Sequence, residues 1–298
     1  MDLKIRRAAT GLRLLGSGQS SLRNARTVQD EMGQLMGDSR AAFEEVSPGG
    51  LPACYALPPE RAAAGVILYL HGGGYTLGSL AYAKGIGSWL ACSAGVKTLC
   101  IAYRLAPEHP HPAALEDSLH AYRFLLEQGY APGRILLCGD AAGGGLCFAL
   151  CLRLKDLNLP QPGGVIAISP WVDLTLSGPS YEKHRYKDPV LDKEVLRCCV
   201  EYYAKGQDPP LPYISPLYGN LEGLPPSLLF VGGNELFFNE IYIMHKALVL
   251  SGVYSRIHIA RNMWNSYMLY GGAEAERARR LLASFVQERL NGCAAAGK

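Results

Sequence analysis

Long apolar runs, charge of one sign and paired cysteines are all missing from this 298-residue chain. No apolar stretch approaches the ~18 residues of a membrane span, which argues against a transmembrane helix. The net charge of +3 gives no electrostatic case for nucleic acid or an anionic membrane as partner. The nine cysteines (Cys54, Cys92, Cys100, Cys138, Cys147, Cys151, Cys198, Cys199 and Cys293) are odd in number and never spaced C-x-x-C. Most lie in apolar runs, so they are expected to be reduced core thiols in a cytoplasmic compartment rather than a disulfide framework or a zinc site. No secretory h-region, internal repeat or low-complexity linker is visible. Acids are nearly absent before Asp30, a composition shared with transit peptides. Leu3, Ile5, Ala9, Leu12 and Leu15 also fall roughly on one side of a helix, and an amphipathic cap helix is the expectation adopted for this stretch.

What remains is an ordinary globular balance, 49% hydrophobic and 18% charged, enough for a single α/β domain over residues 1–298. Short apolar runs at 66–70, 96–102, 134–138, 165–169, 227–231 and 256–260 predict strands. Between them, 81–94, 113–128, 142 onward, 238–251 and 273–290 predict helices. Alternation of this kind predicts a mostly parallel, doubly wound sheet, whose ligands bind beyond the carboxyl ends of the strands. Residues 1 to about 45 and 179–216 are expected to form a helical cap over those ends.

Two motifs sit where strands end. The first, His71-Gly72-Gly73-Gly74-Tyr75, offers backbone N–H groups unobstructed by side chains, as an oxyanion hole requires. His71 is expected to hold the loop rather than carry protons. The second, Gly139-Asp140-Ala141-Ala142-Gly143, has the strand-to-helix form of a G-x-S-x-G nucleophile elbow, with Ala141 in the place of serine. A methyl group cannot attack a carbonyl. The N–H of Ala142 would join those of Gly73 and Gly74 as the third oxyanion donor. Cys147, six residues on, is a poor replacement nucleophile.

HGGGY, YRLAPEHPHPAALED, GDAAGG, ISPLYGNLEGLPPSLLFVGG and MWNSY together resemble the hormone-sensitive-lipase family of bacterial esterases over about residues 60–290. The resemblance implies an α/β-hydrolase fold with a helical cap, hydrolysis of short acyl esters without cofactor or metal, and frequent homodimers. It also implies a triad in the order Ser, Asp, His, which maps to Ala141, to Asn234 in Gly232-Gly233-Asn234-Glu235, and to Asn265 in Asn262-Met263-Trp264-Asn265. All three differ from the family pattern. Alanine has no attacking oxygen, Asn234 has no charge to orient an imidazolium, and Asn265 neither takes nor gives a proton near neutral pH. Asn262, in place of a usual glycine, is a fourth departure. Asp140 is expected to brace the elbow, and Arg104, Glu108 and Asp117 to form a charge network under the proline-rich loop. Tyr75, Trp264, Tyr267 and His184 are the expected ligand-binding side chains, for an ester-like or aromatic small molecule.

Three functional expectations follow. The first is an esterase scaffold stripped of its triad by engineering, either inactive or repurposed, with its oxyanion hole intact. The second is a natural pseudoenzyme acting as a small-molecule receptor, as the plant gibberellin receptors illustrate. The third is a residual hydrolase with an unrecognised nucleophile.

Overall fold

A computed structural model describes residues 19–60 and 62–295; the N-terminal stretch discussed above, before residue 19, lies outside the described residues. Eight strands form one sheet in the order β1-β2-β4-β3-β5-β6-β7-β8. They are β1 (Ala42–Val46), β2 (Ala53–Leu57), β3 (Val66–Leu70), β4 (Lys97–Ile101), β5 (Ile135–Asp140), β6 (Gly164–Ile168), β7 (Ser227–Gly232) and β8 (Ser255–Ala260). The pairs from β4 to β8 are all parallel, whereas β1–β2 and β2–β4 are antiparallel. The helices are α1 (Gln19–Met36), α2 (Leu80–Ala94), α3 (Ala113–Glu127), α4 (Ala142–Asp156), α5 (Ser180–Lys183), α6 (Lys193–Ala204), α7 (Phe238–Leu250) and α8 (Ala273–Ala295).

The uninterrupted apolar runs of β3, β5 and β6 are buried on every residue. Helices cover both faces of a parallel sheet, so no polar alternation is needed in its central strands. The α/β-hydrolase expectation therefore holds. The antiparallel pair at the front was not foreseen. The β1 sequence AFEEV lies on an edge and is almost wholly exposed, so it carries no apolar pattern. Between Pro52 and Pro58, β2 is only five residues long. At the opposite side, β8 is the last strand of the order and leaves Tyr254 and Ile259 exposed. No described helix is long and apolar enough to cross a membrane. The eight described cysteines, Cys54 to Cys199, are free thiols.

Chain direction across the sheet reverses between β3 and β5. From β3 the chain passes to β4 on one side, and β5 then pairs with β3 on the other. A crevice opens where neighbouring connections diverge in this way. The ends of β3 and β5 are His71–Gly74 and Ala141, so topology alone brings the two motifs together.

That meeting depends on glycine. A Cβ on Gly139 would strike the backbone of Gly143, and one on Gly143 would strike the carbonyl of Leu70. Both obstructions are main chain, which cannot swing aside. Gly143→Ala is expected to destabilise the fold by about 3 kcal/mol, at the upper end of overpacking costs, or to abolish soluble expression. Chemical denaturation checks this, and a wild-type midpoint would contradict the packing described.

Candidate functional site

The loop after β3 is held rigidly. His71 is fully buried, and its Nδ1–H donates to the Gly72 carbonyl at 2.8 Å. Its ring stacks on Tyr103 with centroids 4.1 Å apart, and the Tyr103 hydroxyl donates to the His71 carbonyl at 2.6 Å. Burial lowers the His71 pKa to about 4, so the ring is neutral at pH 7 and serves as a structural post. The Gly72 N–H donates to Asp140 Oδ1 at 2.8 Å, joined by the hydroxyls of Tyr69 at 2.6 Å and Tyr82 at 3.0 Å. Burial pushes the Asp140 carboxyl up, and those three donors pull it partly back. Asp140 thus ties the elbow to the glycine loop.

Gly73 and Gly74 adopt φ of 115° and 61°, a region that L side chains rarely enter. Neither N–H donates to a partner among the described residues. Across the crevice, Ala141 is strained at φ 46°, ψ −114°. Its own N–H donates to the Ile168 carbonyl at 2.9 Å, and its carbonyl accepts from Trp171 at 2.8 Å. Strain of this kind costs of order 1–3 kcal/mol and persists only where neighbours over-determine it. Ala142 opens the 15-residue helix α4, and the first amides of a helix have no intrahelical acceptor. Three residues whose N–H groups have no acceptor among the described residues, one of them opening a helix, therefore border one place.

That place is a cavity of about 50 Å³ whose wall includes Gly73, Gly74, Ala141, Ala142, Asn265 and Ser266. It is closed from above by Gln29, Met32 and Met36 of α1 and by Val190, Leu191 and Leu196 of the insert, with Trp171 and Phe237 stacked at its side. Asn265 and Ser266 are 3% and 4% exposed. Asn265 Nδ2 and Ser266 Oγ have no hydrogen-bond partner among the described residues.

Asn234 does not reach the wall. Its loop lies against the loop that carries Asn265: the Asn234 N–H donates to the Met263 carbonyl at 2.8 Å. Glu235 is fully buried nearby, and burial holds its carboxyl well above the usual range. It accepts from Gly232 N–H at 2.9 Å and from the Ser169 hydroxyl at 2.7 Å, and Ser169 Oγ accepts the Ser266 N–H at 2.9 Å. Glu235 therefore locks the loops and does not substitute for Asn234.

Asp188, at the start of the cavity's ceiling, is the least expected residue. Its Oδ1 accepts the N–H groups of Val190 at 2.9 Å and Leu191 at 3.2 Å, and its Oδ2 accepts that of Leu236 at 3.3 Å. The backbone N–H of Asn265 also stabilises its charge. One buried carboxylate thus joins the insert, the loop after β7 and the loop after β8. Burial outweighs these donors and raises its pKa to about 6.

The other expected ligand-binding side chains are not part of the cavity wall. Tyr75 is buried and stacks on Tyr203 at 3.8 Å. His184 is buried, with Nδ1 bonded to the Glu235 carbonyl at 2.9 Å. Trp264 and Tyr267 pack into the core cluster behind Asn265. Tyr75, Trp264 and Tyr267 flank the motifs in sequence and His184 lies in the insert, but alternate or turn-borne side chains point away from the face their neighbours present. Glu108 is also not where the sequence suggests. Arg104 pairs with Asp117 at 2.8 Å and Glu116 at 3.3 Å, whereas Glu108 pairs with Arg26 of α1 at 2.7 Å. Arg26 additionally donates to the carbonyls of Thr76 and Ala106, which fastens α1 to the glycine loop. Cys199 is at the wall, but burial pushes its thiol up to about 12, far from the thiolate a nucleophile requires. Among the described residues no Lys, Arg or His lines the cavity. Among the described residues no cluster of His, Cys, Asp or Glu is arranged to hold a metal ion.

Known proteins share this fold. A family described as alpha/beta hydrolase fold matches residues 67–269. The chain is 42% identical over 194 residues to an acetyl-hydrolase of Streptomyces hygroscopicus, covering 65% of each protein. It is 36% identical to a putative acetyl-hydrolase LipR of Mycobacterium tuberculosis, over 65% of this chain and 62% of the relative. The match therefore spans slightly under two thirds of these two relatives. It spans 76% of an esterase of Acinetobacter venetianus, at 33% identity over 229 residues. Among solved structures, an esterase from the bacterial hormone-sensitive lipase family superposes with a TM-score of 0.89 at 32% identity, covering 97% of this chain and 99% of that one.

The Asp188 knot has a pH signature. Its folded pKa lies above its ordinary value of 3.8, so between those values the folded state binds more protons than the unfolded. Its contribution is then fully present below about pH 4 and lost as pH rises through about 6, an effect of ~3 kcal/mol at 1.36 kcal/mol per unit. Comparing denaturation of the parent and Asp188→Asn from pH 4 to 7 should show this slope in the parent and not in the variant. Parallel curves would mean that Asp188 titrates normally.

Proposed function

This chain belongs to the alpha/beta-hydrolase family, in its hormone-sensitive-lipase branch, and from that premise we propose that it binds a small carbonyl-bearing molecule without hydrolysing it. The scaffold is of carboxylesterase type. The substituted triad positions are Ala141, Asn234 and Asn265. The oxyanion donors are Gly73, Gly74 and Ala142.

One observation carries this proposal. The residues whose N–H groups lack an acceptor, Gly73, Gly74 and Ala142, line the same cavity as Ala141 and Asn265, yet among the described wall residues the Ser266 hydroxyl has no histidine, lysine or unengaged carboxylate beside it to activate it for acyl transfer. Losing serine or histidine from a triad that acts as a unit costs about 10⁶ in turnover. The hole and ordinary binding account for roughly 10³ to 10⁴ over water when a triad is broken. Polarisation of a bound carbonyl should therefore persist while attack on it fails. Removal of the triad by design or by descent leaves the same donors, so binding does not depend on the origin of the changes. The residual-hydrolase alternative would need a new nucleophile, and Cys199 at the wall is held as a neutral thiol. The expected homodimer has its support in the open outer edge of β8 beside the exposed Tyr254 and Ile259.

Hydrolysis of p-nitrophenyl butyrate tests the proposal. The parent should show background turnover, and Ala141→Ser with Asn234→Asp and Asn265→His should raise it by at least ~10³, a conservative share of the triad's worth. Rapid hydrolysis by the parent would refute the proposal. No gain on restoration would refute the mapping of the three positions.

A further inference from the structure

Away from the cavity, two cysteines meet across the sheet. The register of β2 on β4 sets Cys54 directly opposite Cys100. Opposed residues of an antiparallel pair present their side chains to the same face, with Cα atoms about 4.5–5.5 Å apart. That spacing lies inside the roughly 4.4–6.8 Å that a disulfide spans. Both thiols are free and fully buried, and they are hydrogen-bonded to each other. Helix α2 presses on this spot: a Cβ on Gly87 would strike Cys100 Sγ. Lys84, one helical turn before Gly87, places its ammonium where both thiols feel it. Lys84 also borders an open cavity of about 380 Å³ together with Phe43, Gly85 and Ser88, so solvent comes as near to the pair as that side chain.

The surroundings of the two sulfurs differ. The Cys100 thiol holds Cys54 below the ordinary thiol value, with help from the Lys84 ammonium and against burial and the Glu45 carboxylate. Burial pushes Cys100 well up, and the Cys54 sulfur adds to that shift. Cys54 is thus the readier thiolate, and Cys100 stays a protonated thiol beside it. We propose that Cys54 and Cys100 are a redox-modification site, a dithiol that hydrogen peroxide closes to a cross-strand disulfide. The Cys54 thiolate attacks one peroxide oxygen, the O–O bond breaks, and Cys54 becomes a sulfenic acid. The departing hydroxide takes up the proton that Cys54 gave, making water. The Cys100 sulfur then attacks Cys54 Sγ. The S–O bond breaks as the S–S bond forms, and the released oxygen leaves with the Cys100 proton as a second water. Two electrons pass from the sulfurs to the peroxide oxygens. Since β2 is the strand through which β1 and β2 join the rest of the sheet, the new bond fastens that antiparallel pair at its junction.

Treatment of the full chain with hydrogen peroxide, alkylation of the remaining thiols and peptide mapping by mass spectrometry tests this. The expected product is a Cys54–Cys100 link that dithiothreitol reverses. Cys92 and Cys198 are the partly exposed thiols among the described residues. Oxidation governed by exposure alone would mark those two and leave Cys54 and Cys100 unlinked, and that result would overturn the proposal. Cys100→Ser should arrest Cys54 as a sulfenic acid, captured by dimedone, whereas Cys54→Ser should leave Cys100 unmodified. Capture at Cys100 in place of Cys54 would overturn the order of steps. The map of the unsubstituted protein decides the pairing by itself, even where a buried substitution prevents folding. Amide hydrogen exchange over residues 42–57 should slow about tenfold or more once the link has formed, and unchanged exchange would overturn the fastening role.

Discussion

The contact between the elbow and the end of β3 is the constraint on which the site depends. Gly139 and Gly143 let the turn into α4 press against the Leu70 carbonyl, and the chain passes through Ala141 in a strained conformation to achieve it. That approach sets Ala142 N–H opposite Gly73 and Gly74 and brings Asp140 within reach of Gly72. In an esterase the strain serves to lift a hydroxyl toward substrate. Here it lifts a methyl group, and the same geometry still delivers the amide donors. Backbone donors survive side-chain substitution, because they belong to the main chain and not to the side chain that varies.

The rest of the site is organised by buried carboxyls without cationic partners. Asp140, Asp188 and Glu235 are each buried and held by N–H and O–H donors from separate segments. A carboxylate accepts several such bonds at once, so it can tie together loops that share no secondary structure. Asp140 joins β5 to the glycine loop. Glu235 reaches the Asn265 loop through Ser169, and Asp188 joins that loop to the insert above it. Desolvation raises all three. This is a cost tolerated where loop positions must be exact to a fraction of an ångström for polar recognition.

Legibility in the sequence followed the range of the interaction. The central strands were visible because burial on both faces leaves continuous apolar runs. The elbow and glycine loop were visible because close backbone approach demands glycine at fixed spacing. Placement of Asn234 and Asn265 on adjoining loops also followed from motif spacing. The edge strand β1 was invisible because exposure removes the pattern. Tyr75, Trp264 and Tyr267 were attached to the cavity by sequence proximity and His184 by its place in the insert, and the direction of each side chain turns instead on local backbone geometry, such as the φ of 61° at Tyr75.

By itself the sequence determined the layered α/β fold, the place of two glycine motifs at strand ends, and an alanine at the centre of the elbow. These are properties of spacing and composition. Only the tertiary structure decided that Asn265 and Ser266 are buried at the cavity with Nδ2 and Oγ unpaired among the described residues, that Asp188 ties three segments together, and that α1 and the insert leave so small a volume. Those facts depend on which groups are left over after distant segments have packed, and no local pattern encodes that remainder.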